Sequence, residues 1–256
     1  MSKPAYHPEA YWSEVAQKIE QRDGHNVLAG DDSPFYRYKR IKFLNLLLSI
    51  PIEHKKIMEL GSGPGGNLKE LSKKNPASLT GADISQNMID FATKNLEFKP
   101  LNLVKINGEK LPFQDEKFDA VFSATVLQHN TDDDMMQSIL MEMCRVSGDK
   151  LYLFERIESN FKGDDLCMGR PYEYYKTIVE SQGFKFENIE FINIQISYLA
   201  CGLIRKLFNT KSRKEGQKES SISTTLQKLI LPFTKVLDKV FTVKRDLARI
   251  EFSRKK

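Results

Sequence analysis

Glycines and an acidic residue meet in one segment of the chain, residues 59–66, whose sequence is ELGSGPGG. An apolar run carries the carboxylate of Glu59 directly into this glycine-rich turn, and Leu68 and Leu71 follow at helical spacing. The pattern predicts a buried strand, a tight loop and the start of a helix. Glycines let a backbone approach a ligand closely, and the N–H groups that open a helix are unpaired donors. The segment therefore predicts a site for a nucleotide-like cofactor.

Two classes of cofactor fit the spacing of these glycines. Gly61, Gly63 and Gly66 satisfy the fingerprint of dinucleotide-binding proteins, and Asp83 follows at the ~20 residues expected for a ribose-binding acid. Glu59 favours the other class, because at the end of a strand it would repel the pyrophosphate of NAD. S-adenosylmethionine (SAM) has no phosphate, and its sulfonium and ammonium groups both favour a nearby carboxylate.

The composition bounds the class of protein. A chain of 256 residues with 40% hydrophobic and 29% charged residues can form one large α/β domain. The net charge of +5 is below the basic density of a dedicated nucleic-acid binder. Three widely spaced cysteines predict free thiols in a reducing compartment. Because the sequence shows neither a signal peptide nor a membrane span, it predicts a cytoplasmic protein.

From residue 56 onward, strand and helix patterns alternate, which predicts a parallel sheet. The predicted strands are 56–60, 78–83, 101–106, 118–124, 151–156, 184–194 and, at the end, 250–252. The predicted helices are 6–21, 34–48 with Ser33 as N-cap, 65–74, 86–95, 132–146 with Thr131 as N-cap, and 171–181. An insert at 197–243 holds two apolar helical patterns, separated by a polar linker at 209–223.

The order of these elements, together with the pattern E-x-G-x-G-x-G at residues 59–65, resembles the class I SAM-dependent methyltransferases. The resemblance covers residues 35–195. It implies an α/β, Rossmann-like sheet of seven strands, six parallel and the last antiparallel and beside the fifth, with helices on both faces. It also implies four regions: N-terminal helices over the active site (1–50), a SAM-binding core (51–196), a helical insert or lid (197–245), and a final strand with a basic terminus (246–256).

The resemblance assigns the cofactor to residues that follow one another along the core. Asp83 stands where the family binds both ribose hydroxyls, although it could instead cap the following helix. Asn107 begins a stretch that ends in Leu-Pro-Phe and matches the adenine-binding stretch, where the family usually has Asp. Arg37 or Arg40 would pair with the carboxylate of SAM, unless both belong to a solvated charged face of the second helix. The complete predicted cofactor set is Arg37, Glu59, Gly61, Ser62, Gly63, Gly65, Asp83, Ile84, Met88, Asn107, Gly108, Glu109 and Ala124.

The candidate catalytic residue is His129, at the exit of the predicted strand 118–124. Leu127-Gln128-His129 resembles the L-x-H of small-molecule methyltransferases, and a histidine there can take a proton from a hydroxyl or amine nucleophile. The alternative is a histidine that shapes the cofactor site without moving a proton. Three aspartates at 132–134 fit the first turn of a helix better than a metal site, so no metal is predicted.

The predicted reaction moves a methyl group from SAM to an oxygen or nitrogen of a small polar acceptor and leaves S-adenosyl-L-homocysteine. A sugar or glycan precursor would suit the mixed aromatic and charged residues predicted to line the acceptor pocket: Glu155, Arg156, Met168, Arg170, Tyr172, Tyr174 and Tyr175. The alternatives are an NAD(P)-dependent oxidoreductase, an RNA methyltransferase and a non-catalytic SAM-binding protein. No nucleic-acid partner is predicted, because neither N-P-P-Y nor D-P-P-Y follows strand 118–124.

The insert allows two interpretations. Residues 226–249 combine an apolar stripe with basic residues, which is typical of a helix on an anionic membrane surface. Pro232 interrupts the stripe, and we favour a lid packed on the catalytic core, or a dimer partner, over a weak membrane contact.

Overall fold

A computed structural model describes residues 8–20, 33–210 and 219–256. Residues 6–7 and 21 of the first predicted helix and residues 211–218 of the predicted linker lie outside this part. The chain divides into two compact units. Unit 1 comprises Met1–Gln17, Ile50–Glu190 and Arg245–Lys256, and unit 2 comprises Lys18–Ser49 and Phe191–Lys244. No helix in the described part is both long enough and apolar enough to cross a membrane.

The strands of the chain are β1 (Lys56–Leu60), β2 (Ser78–Asp83), β3 (Leu101–Lys105), β4 (Phe118–Ala124), β5 (Ser147–Ile157), β6 (Lys162–Gly163), β7 (Met168–Gly169), β8 (Phe184–Phe191) and β9 (Asp246–Arg254). Seven of them form one sheet in the order β3-β2-β1-β4-β5-β9-β8, and β6 pairs with β7. The last strand, β9, runs antiparallel beside β5. The predicted fold class is thereby confirmed, although β9 is longer than the three residues predicted.

The helices are α1 (Pro8–Glu20), α2 (Pro34–Leu47), α3 (Gly66–Ser72), α4 (Gln86–Asn95), α5 (Asp133–Val146), α6 (Tyr172–Ser181), α7 (Gln195–Phe208) and α8 (Ser221–Val240). The predicted N-cap of α5 is wrong: Asp132 caps it by accepting a hydrogen bond from Met135 N at 2.9 Å, while Thr131 Oγ1 donates to Asp165 O. A carboxylate at this position also meets the positive end of the helix dipole.

Apolar residues fill both faces of the central strands. Ile57, Met58, Val121 and Phe122 are fully buried, as expected for parallel strands covered by helices on each side. Since β1, β2, β4 and β5 run parallel, their carboxyl ends meet at one edge of the sheet. The sheet thus places the loops that follow β1, β2 and β4 side by side.

Unit 2 is held together by polar groups among α2, α7 and α8. Asp238 is 1% exposed and accepts hydrogen bonds from the amides of Ile196 and Ser197, from Ser197 Oγ and from Tyr38 OH. Burial and the adjacent carboxylate raise the pKa of Tyr38. Helix α8 continues through Pro232.

We expect Asp238→Ala to destabilise unit 2, because it leaves four buried donor groups without their acceptor. The free energy of unfolding should fall by about 3 kcal/mol. Urea denaturation measures the loss, and hydrogen exchange of the Ile196 and Ser197 amides localises it. Lys239→Ala, at the exposed neighbouring position, is the matched control. Equal stability of the two variants would contradict the central role of Asp238.

Candidate functional site: a glycine loop beside a clamped histidine turn

The loop after β1 has the left-handed backbone that its glycines allow. The φ angles of Gly61, Gly63 and Gly65 are +66°, +51° and +84°, which other L-residues rarely adopt. A Cβ atom on Gly61 would lie 2.3 Å from Val126 Cγ2, so the loop packs tightly against the turn after β4. A Cβ on Gly63 would meet no atom within 4 Å. The space over Gly63 is therefore open to a ligand.

The amides of this loop already have acceptors within the chain. Gly61 and Ser62 donate to Ala82 O at 2.7 and 3.2 Å, Gly63 donates to Asp83 Oδ2 at 2.8 Å, and Gly65 donates to Ser62 O at 2.9 Å. The remaining position is Pro64, which has no N–H. A loop that binds phosphate points its amides at the ligand. This loop directs its amides inward.

Two buried carboxylates flank the same loop. Glu59 is 1% exposed, and its Oε1 accepts a hydrogen bond from Asn67 Nδ2 at 2.6 Å. Asp83 is 6% exposed and accepts from the amides of Gly63 and Ser85, each at 2.8 Å. Burial raises the pKa of Asp83, and these two bonds oppose the rise. Since Ser85 Oγ caps α4, Asp83 is not the cap of that helix.

The loop after β3 uses Asn107 for its own turn. Asn107 Oδ1 accepts the amides of Glu109 and Lys110, each at 3.0 Å, so the oxygen predicted to meet an adenine is held by the backbone. Gly108 is buried with φ +84°, and a Cβ there would lie 3.0 Å from Ile84 Cδ1. The loops after β2 and β3 therefore touch at this point.

The other predicted cofactor residues differ in their placement. Met88 is buried in α4, Ala124 ends β4, and Glu109 is exposed. Arg37 is exposed on α2 and belongs to unit 2, whereas the rest of the predicted set belongs to unit 1. Their roles toward a cofactor stay predictions.

A fully buried carboxylate shapes the turn that carries His129. After β4, Thr125 adopts φ +58°, and residues Leu127–His129 form a 3-10 turn. Glu155, at the end of β5, accepts hydrogen bonds from Ser123 Oγ at 2.7 Å and from the amides of Val126 and Gln128 at 3.1 and 3.2 Å. Burial raises the pKa of Glu155, and these bonds lower it in part.

A fully buried arginine holds the same turn by its carbonyl groups. Arg170 donates from Nη1 to Leu127 O at 3.0 Å and from Nη2 to Asn130 O at 2.7 Å, and it pairs with Asp133 at 2.8 Å. We call Glu155 and Arg170 the turn clamp, since one accepts the N–H groups of the turn and the other donates to its carbonyls.

The sequence missed this role, because it predicted both clamp residues to line the acceptor pocket. That prediction is wrong for Glu155 and Arg170, which are 0% exposed and bonded inside the fold. Tyr175, from the same predicted lining, is also 0% exposed. The available signal was the position of Glu155 at the end of a central strand, where a carboxylate must find buried donors.

The neighbours of His129 define its tautomer. Its Nδ1 lies 2.8 Å from the carbonyl oxygen of Leu166, which can only accept, so Nδ1 carries the proton. Its Nε2 lies 3.2 Å from Gln128 Nε2, and the Gln128 amide is oriented by its oxygen, which accepts from Arg156 N at 3.1 Å. The neutral imidazole therefore carries its lone pair on Nε2.

Helix α1 contacts both the histidine turn and the loop after β2. The ring of Trp12 packs edge-on against His129, with 5.0 Å between ring centroids. Ser13 Oγ lies 3.0 Å from Ser85 Oγ, and Glu9 pairs with Lys105 at 3.0 Å. The helix thus spans the carboxyl ends of β2, β3 and β4.

Residues 57–149, which contain the glycine loop and the histidine turn, match the family model described as a methyltransferase domain. The fatty-acid O-methyltransferase of Mycolicibacterium smegmatis is 34% identical over 73 residues, 28% of this chain and 27% of that protein. The ubiquinone biosynthesis O-methyltransferase of Coxiella burnetii is 28% identical over 136 residues, 52% of this chain and 57% of that protein. The chain thus spans under two thirds of the length of either relative.

Solved structures share the fold over nearly the whole chain. The cyclase SpnF gives a TM-score of 0.66 at 14% identity and covers 100% of this chain and 99% of its own. The magnesium protoporphyrin IX methyltransferase of Synechocystis PCC 6803 gives 0.60 at 11% identity and covers 99% and 100%. The family match, the sheet order and the inward-directed amides of the glycine loop all favour a methyltransferase over a dinucleotide-binding enzyme.

Residues 57–149 carry a methyltransferase domain of the class I SAM-dependent kind. The resemblance predicted from the sequence is thereby confirmed. The turn clamp, whose two residues follow the matched range, fixes the turn that carries the candidate catalytic histidine of this domain.

We expect Glu155→Gln to loosen the histidine turn of the methyltransferase domain. The amide nitrogen that replaces one carboxylate oxygen cannot accept from the backbone, so the unfolding free energy should fall by about 2 kcal/mol. Urea denaturation measures this loss, and hydrogen exchange should increase at the amides of Val126 and Gln128. The control is Asp149→Asn, at a half-exposed carboxylate on the same strand. Unchanged exchange at both amides would show that Glu155 does not hold the turn.

Proposed function

We propose that the chain binds SAM and transfers its methyl group to an oxygen atom of a small acceptor. The observation that carries the proposal is the glycine loop, whose amides all donate within the chain while Glu59 and Asp83 are buried beside it. Such a loop repels a pyrophosphate and suits a cationic ligand. The relatives named as O-methyltransferases support the choice of oxygen.

The residues of the loop fit the parts of SAM. The open space over Gly63 admits the methionine portion, and Glu59 supplies a negative charge near its ammonium. Each oxygen of Asp83 accepts one amide and keeps a lone pair for a ribose hydroxyl. Residues 107–109 form the surface proposed for the adenine. When bound, SAM supplies a methyl group on a sulfonium, a leaving group that needs no further activation.

His129 is the proposed general base for a hydroxyl acceptor. Its lone pair is on Nε2, which now accepts from Gln128 Nε2, so an acceptor hydroxyl would take the place of that contact. The Nδ1–H bond to Leu166 O holds the ring and stabilises the imidazolium that forms. For a carboxylate acceptor no base is required, because the oxygen is already ionised.

Two classes of acceptor have support, a sugar-like one and a lipid-like one. A sugar or glycan precursor stays the prediction from the sequence, although three of the seven residues proposed to line its pocket are buried. The names of the relatives, which refer to a fatty acid and to ubiquinone biosynthesis, support a lipid-like acceptor instead. Release of S-adenosylhomocysteine with nucleotide sugars, phenols and fatty acids as acceptors separates the two.

We expect the chain to bind SAM in preference to NAD in equilibrium dialysis. Gly63→Val should weaken SAM binding by at least about tenfold, because its side chain fills the open space and strains the backbone. Gly183→Val is the matched control, since Gly183 also has a positive φ, +80°, and no atom within 4 Å of its Cβ position. Tighter binding of NAD, or equal effects of the two variants, would contradict the proposal.

We expect His129→Asn to lower kcat for a hydroxyl acceptor by about 100-fold or more, because proton transfer loses its base. The Kd for SAM should stay unchanged. Turnover of a carboxylate acceptor should also be retained. His54→Asn, at an exposed histidine of the same unit, serves as the control. A His129→Asn enzyme with full turnover of a hydroxyl acceptor would remove His129 from the mechanism without affecting the proposal of SAM binding.

A further inference from the structure

Two helices of unit 2, α7 and α8, bury polar side chains. The residues of α8 that are buried are Ser223, Gln227, Leu231, Thr234 and Asp238, of which four are polar. Ser197 of α7 donates to Asp238, and Ser33 Oγ donates to Gln227 Oε1 at 2.8 Å. An ordinary helix of a globular protein turns its apolar side inward. In α8 this polarity is inverted.

The apolar side chains of the same helices are exposed. On α8 they are Ile222, Leu229, Phe233, Val236, Leu237 and Val240, and on α7 they are Leu199, Leu203 and Leu207; each is between 42% and 69% exposed. Spacings of three and four residues align them along one side of each helix. We call these nine side chains the apolar stripe. An exposed surface of this kind marks an interaction site.

The charge of unit 2 selects the partner. Three of its ranges, 33–49, 191–210 and 219–244, contain ten basic side chains: Arg37, Lys39, Arg40, Lys42, Arg205, Lys206, Lys228, Lys235, Lys239 and Lys244. They contain two acidic side chains, Glu219 and the buried Asp238. The whole chain has a net charge of only +5, so the positive charge is concentrated in unit 2. A second copy of this unit would meet it with like charge.

We propose that α7 and α8 bind the surface of an anionic lipid bilayer through the apolar stripe. Lipid accepts apolar side chains at the depth of its acyl chains, and anionic headgroups attract the surrounding lysines and arginines. Lys206, which is exposed between Leu203 and Leu207, can extend its charge to the headgroups while its methylenes stay in contact with lipid. Helix α8 lies along the surface, with a length of about 30 Å for its 20 residues.

Vesicle flotation of the full chain tests this proposal without any use of methyl transfer. The chain should float with vesicles of phosphatidylglycerol and phosphatidylcholine and remain behind with phosphatidylcholine alone. The double variant Leu203→Glu/Phe233→Glu should bind the anionic vesicles at least about tenfold more weakly, because two apolar contacts are lost. Lys228→Gln/Lys239→Gln should weaken binding by about tenfold, since each lysine contributes near the headgroups.

Met141→Glu is the matched control, since Met141 is an exposed apolar residue on α5 of unit 1 and should leave binding unchanged. Circular dichroism melting confirms that each variant folds, which the exposure of the substituted side chains predicts. Absence of binding to anionic vesicles overturns the proposal. Equal binding to neutral vesicles overturns its electrostatic part. If the chain does not bind vesicles but forms a dimer, and Leu203→Glu/Phe233→Glu abolishes that dimer, the apolar stripe binds a second copy of the chain and the proposal is wrong.

Discussion

The geometry of the candidate site depends on the turn clamp. Its two buried charged side chains form hydrogen bonds to the backbone of residues 126–130. A turn after a central strand exposes N–H groups on one side and carbonyls on the other, and neither set can be buried without partners. Glu155 accepts the first set and Arg170 donates to the second. Each charge is satisfied by several backbone groups, which is how an ionised side chain is tolerated at 0% exposure. His129 is fixed because the turn beneath it is fixed.

The need to pair backbone N–H groups also explains why the glycine loop does not resemble a phosphate-binding loop. Loops of similar sequence bind phosphate when their amides point at the ligand. Here Ala82 O, Asp83 and Ser62 O accept those amides, so that the loop presents no phosphate-binding donors between residues 61 and 65. The buried acid at the end of β2 therefore does two things. It ties the loop to the adjacent strand, and it places a carboxylate beside the surface proposed for the cofactor.

The two units contrast in where they place polar atoms. Unit 1 buries apolar strands and uses isolated carboxylates at one edge of the sheet. Unit 2 buries the apolar side chains of α2 together with hydroxyl, amide and carboxylate groups centred on Asp238. On α7 and α8 it leaves leucine, valine and phenylalanine exposed. Buried hydrogen bonds can hold three helices together, but they do not explain why the apolar side chains of α7 and α8 are exposed. A partner with an apolar phase and negative charge would provide it.

The antiparallel place of the last strand beside the fifth was predicted from the family resemblance. The sequence by itself predicted the strands of a parallel sheet and the glycine loop, because these follow from local rules: continuous apolar runs, a glycine-rich turn, and Glu59 two residues before Gly61. It also identified the last strand, although not its full length. Only the tertiary structure decided which polar residues are buried. Glu155 and Arg170 were predicted to line the acceptor pocket, but they form the turn clamp. The side-chain oxygen of Asn107 accepts hydrogen bonds from the backbone of its own turn. The apolar residues of α8 could be recognised in the sequence, but their exposure could not. Periodicity shows which residues share a side of a helix, and it does not show what packs against that side.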